Sequence, residues 1–330
     1  MVTLKVITYE RRAKAAILTH NPKMRRILIV GCGDIALRVA RLLHKNNSGR
    51  YRLFGLVRNT TRLDELRALG MVPILGNLDD AKSLRRLAGL ADVVLHFAPP
   101  PTPNIPPPSG GGLGRGTKQQ SGVNSDPRTR TLLAILAQGI LPRRLVYIST
   151  SGVYGDCGGV TISETHPLNA QTARAQRRID AEQQIRSWAK RNHVNASILR
   201  VPGIYAADRL PLDRLRAGTP AIVQEEDSHT NHIHADDLAR IVIAAMHNAK
   251  PNRVYHASDD SQLKMGDYFD AVADAHHLPR PPRIPRIQVE RSVSSMLWSF
   301  MNESRRLTNV RMKRELRVKL HYKTVKDGLF

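Results

Sequence analysis

The sequence predicts an α/β fold in which helices cover both faces of a parallel sheet, and three observations predict it. In Arg26–Leu43, the apolar run Ile27–Val30 has the length and β-branched content of a buried parallel strand. Ile35, Val39, Leu42 and Leu43 then recur at helical spacing, so strand passes into helix across two glycines, Gly31 and Gly33. The same alternation of strand-like and helix-like segments continues to about residue 200.

The glycine turn carries the first functional expectation. Gly31 permits a tight bend, Gly33 lets the backbone approach a pyrophosphate, and Ala36 stands where the Gly-x-Gly-x-x-Gly/Ala pattern accepts either small residue for close helix–sheet packing. Asp34, Ile35 and Ala36 open a helix whose free N–H groups and positive dipole end suit a phosphate, so this turn is the candidate dinucleotide site.

The next elements follow in order. Tyr51–Val57 reads as the second strand, ending at Arg58 and Asn59, with Thr61 as cap of a helix Arg62–Leu69. At the end of that strand an acid would accept from the 2′-hydroxyl of NAD, and an arginine would accommodate the 2′-phosphate of NADP. Arg58 occupies the place and no Asp or Glu follows it before Asp64, so the expected cofactor is NADP, with NAD as the alternative. Val72–Leu75 is a third strand, after which Gly76-Asn77-Leu78-Asp79-Asp80 opens another helix. A fourth strand, Asp92–Phe97, runs into Ala98-Pro99-Pro100. Residues 99–126 are too rich in Pro, Gly and Ser to pack a core and read as a mobile loop, either a surface insertion or a segment that folds over the cofactor. Asp126-Pro127 starts a helix to about Gly139, and Arg144–Ser149 is the fifth strand.

Composition sets the bounds. The 330 residues hold two cysteines, Cys32 and Cys157, which give neither a disulfide framework nor a metal spacing and fit a reducing cytoplasm. No apolar run approaches the ~20 residues of a membrane span. The net charge is +23, but it is concentrated in residues 1–26 and 280–330 and carried mostly by arginines scattered without aromatic interleaving. Compositional bias is therefore preferred over specific nucleic-acid binding. His229, His232 and His234 cluster before Asp236-Asp237, yet they read as a hydrogen-bonded loop, and no metal is expected.

Ser149-Thr150-Ser151-Gly152-Val153-Tyr154-Gly155-Asp156 resembles the Ser-Thr/Ser-x-x-Val-Tyr-Gly signature of the extended short-chain dehydrogenases/reductases, the nucleoside-diphosphate-sugar epimerases and dehydratases. The glycine turn, Gly76-Asn77-Leu78 (usually Asp in place of Asn77), His96-Phe97-Ala98, Glu164-Thr165-His166-Pro167, Leu199–Tyr205 and His234–Ala239 resemble landmarks of the same family in the same order. The resemblance spans about residues 25–260. It implies a Rossmann-type doubly wound parallel sheet with a smaller C-terminal α/β substrate lobe. The tail is then 1–23, with Met24 opening the first strand; the dinucleotide domain is 24–200; and 201–330 is mixed, partly sheet and mainly lobe. It also implies a small-molecule carbonyl or nucleotide-sugar-like substrate, and cofactor contacts that include Asn77, Leu78 and Ala98. Oligomeric state, monomer or homodimer, stays open.

One departure stands out. The family's chemistry uses a Tyr-x-x-x-Lys pair one helical turn apart, with a Ser or Thr holding the same substrate oxygen. Thr150 fits the hydroxyl role, and Glu182 resembles the acid four residues after the lysine. On the helix expected over Thr172–Lys190 this register puts Arg174 at the tyrosine position and Arg178 at the lysine position. Arginine stays protonated and cannot exchange the proton. Arg178 can still donate to the nicotinamide ribose and Arg174 can bind an anionic substrate group, while His166 or Glu164 are candidates for the missing proton transfer. The expected activity is an NAD(P)-binding, epimerase/dehydratase-like oxidoreductase with its acid/base replaced; the alternative is a non-catalytic NADP(H)-binding sensor or regulator.

Overall fold

The computed structural model describes residues 25–46, 49–102 and 124–329; residues 1–24 and most of the Pro/Gly-rich stretch, 103–123, lie outside them, as do the expectations placed there. Seven strands form one sheet: β1 (Arg25–Val30), β2 (Tyr51–Val57), β3 (Met71–Leu75), β4 (Val93–His96), β5 (Arg144–Thr150), β6 (Asn195–Val201) and β7 (Arg253–His256). All pairings are parallel, and the spatial order is β7-β6-β5-β4-β1-β2-β3. The central strand β1 is apolar along its length because both faces are covered, and Ile27–Val30 are fully buried. On one face lie helices α1 (Asp34–Asn46) and α2 (Leu63–Ala68). On the other lie α3 (Pro127–Leu136) and α4 (Ala173–Arg191). A fifth helix, α5 (Ala235–Asn248), packs beside α1 on the first face.

Local chemistry sets the ends of these elements. Asp126 caps α3, accepting from the N–H groups of Arg128 and Thr129, and Thr172 caps α4 through Ala175 N. Two expectations change. Thr61 does not cap a helix: Thr60–Arg62 is a 3₁₀ turn and α2 begins only at Leu63, while the Arg62 guanidinium donates to the Cys32 carbonyl at 2.7 Å. The segment after Asp80 is also 3₁₀, Ala81–Leu87, with the Asp80 carboxylate accepting from Lys82 N.

Beyond β6 the chain builds a smaller α/β lobe from short parallel pairs. Gly203–Tyr205 pairs with His232–His234, and Ala221–Ile222 with Arg283–Ile284. Two apolar clusters fill it, one around Tyr205, Tyr268, Phe269 and Val325, the other around Ile222, Val289 and Met301. His232 stacks on Tyr268, and His234 stacks on Tyr322 while accepting from Asp236 N to cap α5. These two histidines are packing and capping groups.

Sheet and lobe meet at a buried polar network. Arg200 on β6 forms a 2.6 Å ion pair with Glu182 on α4, both side chains almost wholly buried. Glu182 also accepts from Ser149 Oγ at 2.6 Å, and Arg200 donates to Tyr154 Oη at 2.7 Å. Tyr154 Oη lies 2.6 Å from His256 Nε2 on β7. Glu164 closes the network, accepting from His256 N at 3.2 Å and lying 3.4 Å from Arg311. Removing one member of a buried pair strands the other's charge. Glu182→Ala should therefore lower unfolding stability by about 3–5 kcal/mol, measured by urea denaturation, and a loss under ~1 kcal/mol would show that Arg200 finds another partner.

Candidate functional site

The strand order reverses between β1 and β4, and in open α/β sheets ligands bind outside the carboxyl ends of the strands at that switch point. Here the two strand ends are pulled together: the Val30 carbonyl accepts from both Phe97 N (2.8 Å) and Ala98 N (3.0 Å). Gly31 follows with φ +93°, and a Cβ built on it would come within 2.5 Å of Ala98 N. No other residue fits there. Gly33 is different, since a Cβ on it would meet nothing within 4 Å. It faces the open side, where a ligand backbone can approach.

That open side is a cavity of about 530 Å³. Its floor is the turn Gly31–Ala36, with Leu56 and Val57 from β2. At one end it reaches Arg58, Asn59, Arg62, Asn77 and Leu78; at the other, Ile148, Arg178 and Ile204. Phe97, Ala98, Pro99, Arg128 and Arg209 complete the wall. The structure thus brings Gly31, Gly33, Asp34, Ile35, Ala36, Arg58, Asn77, Leu78, Ala98 and Arg178 into one lining. The glycine cradle, the helix N-terminus and the length between the two ends fit a dinucleotide.

The electrostatics are those of an anion site. Five arginines and one carboxylate, Asp34, line the cavity. Arg128 holds Asp79 in a bidentate pair (2.8 and 2.6 Å), which keeps that carboxyl below the usual carboxylate range and leaves Arg58 without a dedicated carboxylate partner among the described residues. The Cys32 thiol is pushed up to about 12 by burial, so it is a wall group and no nucleophile.

At the other end Arg178 Nη1 donates to Tyr147 Oη (2.9 Å) and to the Ile148 carbonyl (2.8 Å), which pins its guanidinium to β5. Thr150 lies two residues beyond Ile148 on the same face of β5, and its hydroxyl oxygen accepts from Gly152 N at 3.2 Å. Arg174 is not part of the cavity lining. Its guanidinium lies over the Phe300 ring, 4.2 Å from the centroid, at a contact between α4 and the lobe.

Among the described residues no nearby tyrosine replaces the missing phenol. Tyr147 and Tyr154 are buried, and desolvation pushes both up to about 12; Tyr205 donates to the Thr324 carbonyl and is likewise raised by burial. Glu164, expected near the substrate, is instead spent in the buried network, since β7 and Arg311 pack over it. His166 lies edge-on to Tyr154, 6.1 Å between ring centroids, and does not line the cavity. Arg62, Arg128 and Arg209 were missed in the sequence. Arg62 had a readable signal, one helical turn beyond Arg58; Arg209 had none, because only the tertiary fold brings it to the glycine turn.

The two glycines separate fold from binding. Gly33→Val should leave the melting temperature of the free protein almost unchanged and abolish dinucleotide binding in a calorimetric titration. Gly31→Ala should lower the melting temperature itself, because strain at positive φ adds to the clash with Ala98. Equal behaviour of the two variants would contradict this assignment of roles.

Comparison with known proteins agrees with this geometry. Residues 123–257 match the model of the NAD dependent epimerase/dehydratase family. No curated protein matches the chain in sequence. Among solved structures, a functionally unknown conserved protein from Silicibacter pomeroyi superposes with a TM-score of 0.72 at 27% identity, covering 92% of this chain and 96% of that one. A UDP-glucuronic acid 4-epimerase from Bacillus cereus in complex with NAD gives 0.68 at 19% identity, with 92% and 96% covered. A UDP-glucose 4-epimerase with UDP-glucose from Thermotoga maritima gives 0.70 at 16%, again with 92% and 96% covered. Residues 123–257 are thus similar to the NAD dependent epimerase/dehydratase family, and the chain shares the fold of these solved structures.

Proposed function

We propose that the protein binds NADP(H) in the cavity above the glycine turn and acts as an epimerase/dehydratase-like oxidoreductase on a nucleotide-sugar-like or other carbonyl substrate, with arginines in the Tyr-x-x-x-Lys positions. The observation that carries this reading is the pairing of an open glycine cradle with Arg58 at the far end of the same cavity. A guanidinium matches a 2′-phosphate far better than a 2′-hydroxyl. The two unpaired cysteines suit a cytoplasmic enzyme.

When bound, the nicotinamide supplies or accepts the hydride. Thr150, whose hydroxyl oxygen accepts from Gly152 N–H and whose O–H remains a donor, holds the reacting oxygen. Arg178, fixed by Tyr147 and Ile148, keeps a positive charge at the ribose and at the oxygen that becomes negative as hydride arrives. It stabilises that oxygen without giving up a proton, which water must then supply. Arg174 has no hydrogen bond to a described residue, so its N–H edge is available to an anionic group of the substrate while its face stays on Phe300.

Two outcomes test this. NADPH should bind more tightly than NADH, and Arg58→Ala should remove most of the difference; equal affinities in the unaltered protein would refute the NADP assignment. Acid/base relays contribute ~10²–10⁴ in rate, so turnover on ordinary epimerase substrates should be slow. Arg174→Tyr combined with Arg178→Lys should raise single-turnover hydride transfer by at least ~10-fold. Fast turnover that Arg174→Ala abolishes would show that the arginine is itself essential.

A further inference from the structure

Asp34 is the single carboxylate lining the cavity, and it occupies the first residue of α1, beside the seat of the diphosphate. A carboxylate there favours the helix dipole but repels an arriving phosphate. Two arginines answer it. Arg38 donates Nε to Asp34 Oδ1 at 2.9 Å, and its other nitrogens hold Asp236 (2.6 Å) and Asp208 (3.0 and 3.2 Å). Arg38 is therefore fully engaged and stays where it is. Arg209 reaches Asp34 Oδ2 from the lobe side with a single contact, Nη1 at 3.1 Å, and its remaining N–H groups have no partner among the described residues. It lines the cavity, whereas Arg38 does not.

We propose that Arg209 is a ligand of the cofactor's diphosphate, and that it leaves Asp34 to take it up. The exchange costs little: the Arg209–Asp34 pair is partly solvated, and Asp34 keeps Arg38 after Arg209 has gone. The gain is a charge-assisted contact to a doubly charged group at a helix N-terminus. Arg209 follows Gly203–Tyr205, the strand that carries Ile204 into the nicotinamide end of the cavity. Cofactor binding thereby fixes the lobe strand that borders the substrate space. Asp208, held by Arg38, keeps Arg209 within reach in the free protein.

The inference rests on the cavity being a dinucleotide site, and the experiment keeps the two apart. NADPH and 2′-AMP, which has the 2′-phosphate but no diphosphate, are titrated calorimetrically into the full chain and its variants. Arg209→Ala should weaken NADPH ~10-fold or more and leave 2′-AMP unchanged. Asp34→Asn, which breaks the same pair from the other side, should tighten NADPH. Absence of NADPH binding in the unaltered protein would overturn the dinucleotide reading itself. Binding that is unchanged by Arg209→Ala, an equal loss for 2′-AMP, or weakening by Asp34→Asn would overturn the role of Arg209 alone.

Discussion

The interaction on which the rest of the structure depends is the buried pair of Arg200 and Glu182. A buried ion pair is a poor source of net stability, because two desolvated charges recover little more than they lose. Its value here is geometric. Glu182 accepts from Arg200 and Ser149, and Arg200 donates to Glu182, Tyr154 and the Glu164 carbonyl, so strands β5 and β6, helix α4 and the signature turn share one set of hydrogen bonds. Any slip of α4 along the sheet would break all of them together. Arg178 lies one turn before Glu182, and this register delivers it to Tyr147 and Ile148.

The same network explains why the tyrosines of this region are structural. Tyr154 lies four residues from Thr150, close enough in sequence to look like a reacting phenol. Its hydroxyl sits between Arg200 and His256, and burial keeps it protonated. Burial likewise holds His256 neutral, down at about 3. The tyrosines and histidine that could move a proton have been drawn into the wall between sheet and lobe, and the charged groups left in the cavity are five arginines and Asp34.

What was legible in the sequence was local. The strand–glycine–helix unit, the first five sheet strands and the helix starts at Asp126 and Thr172 rest on neighbours in the chain, and the periodicity rules reach that far. Arg58 was found because it follows a strand end, and all strand ends of one polarity gather on one edge of a parallel sheet; Asn77 and Ala98 came from the family resemblance. Long-range exchange was not legible. Nothing near Glu164 says that Arg311 will cover it, and nothing near Thr61 says that Arg62 will turn back to the Cys32 carbonyl. The placement of Arg174 over Phe300 depends on a lobe whose pattern of short strands has little periodicity to read.

The choice of arginine throughout the cavity has one more consequence. Its lining contains neither histidine nor lysine. A guanidinium keeps its proton at any pH a cell reaches, whereas phenol, ammonium and imidazole groups gain and lose theirs. The positive potential over the glycine turn is accordingly a constant of the molecule. A change of pH would leave these guanidinium charges as they were, and the cavity behaves as a permanently charged receptacle.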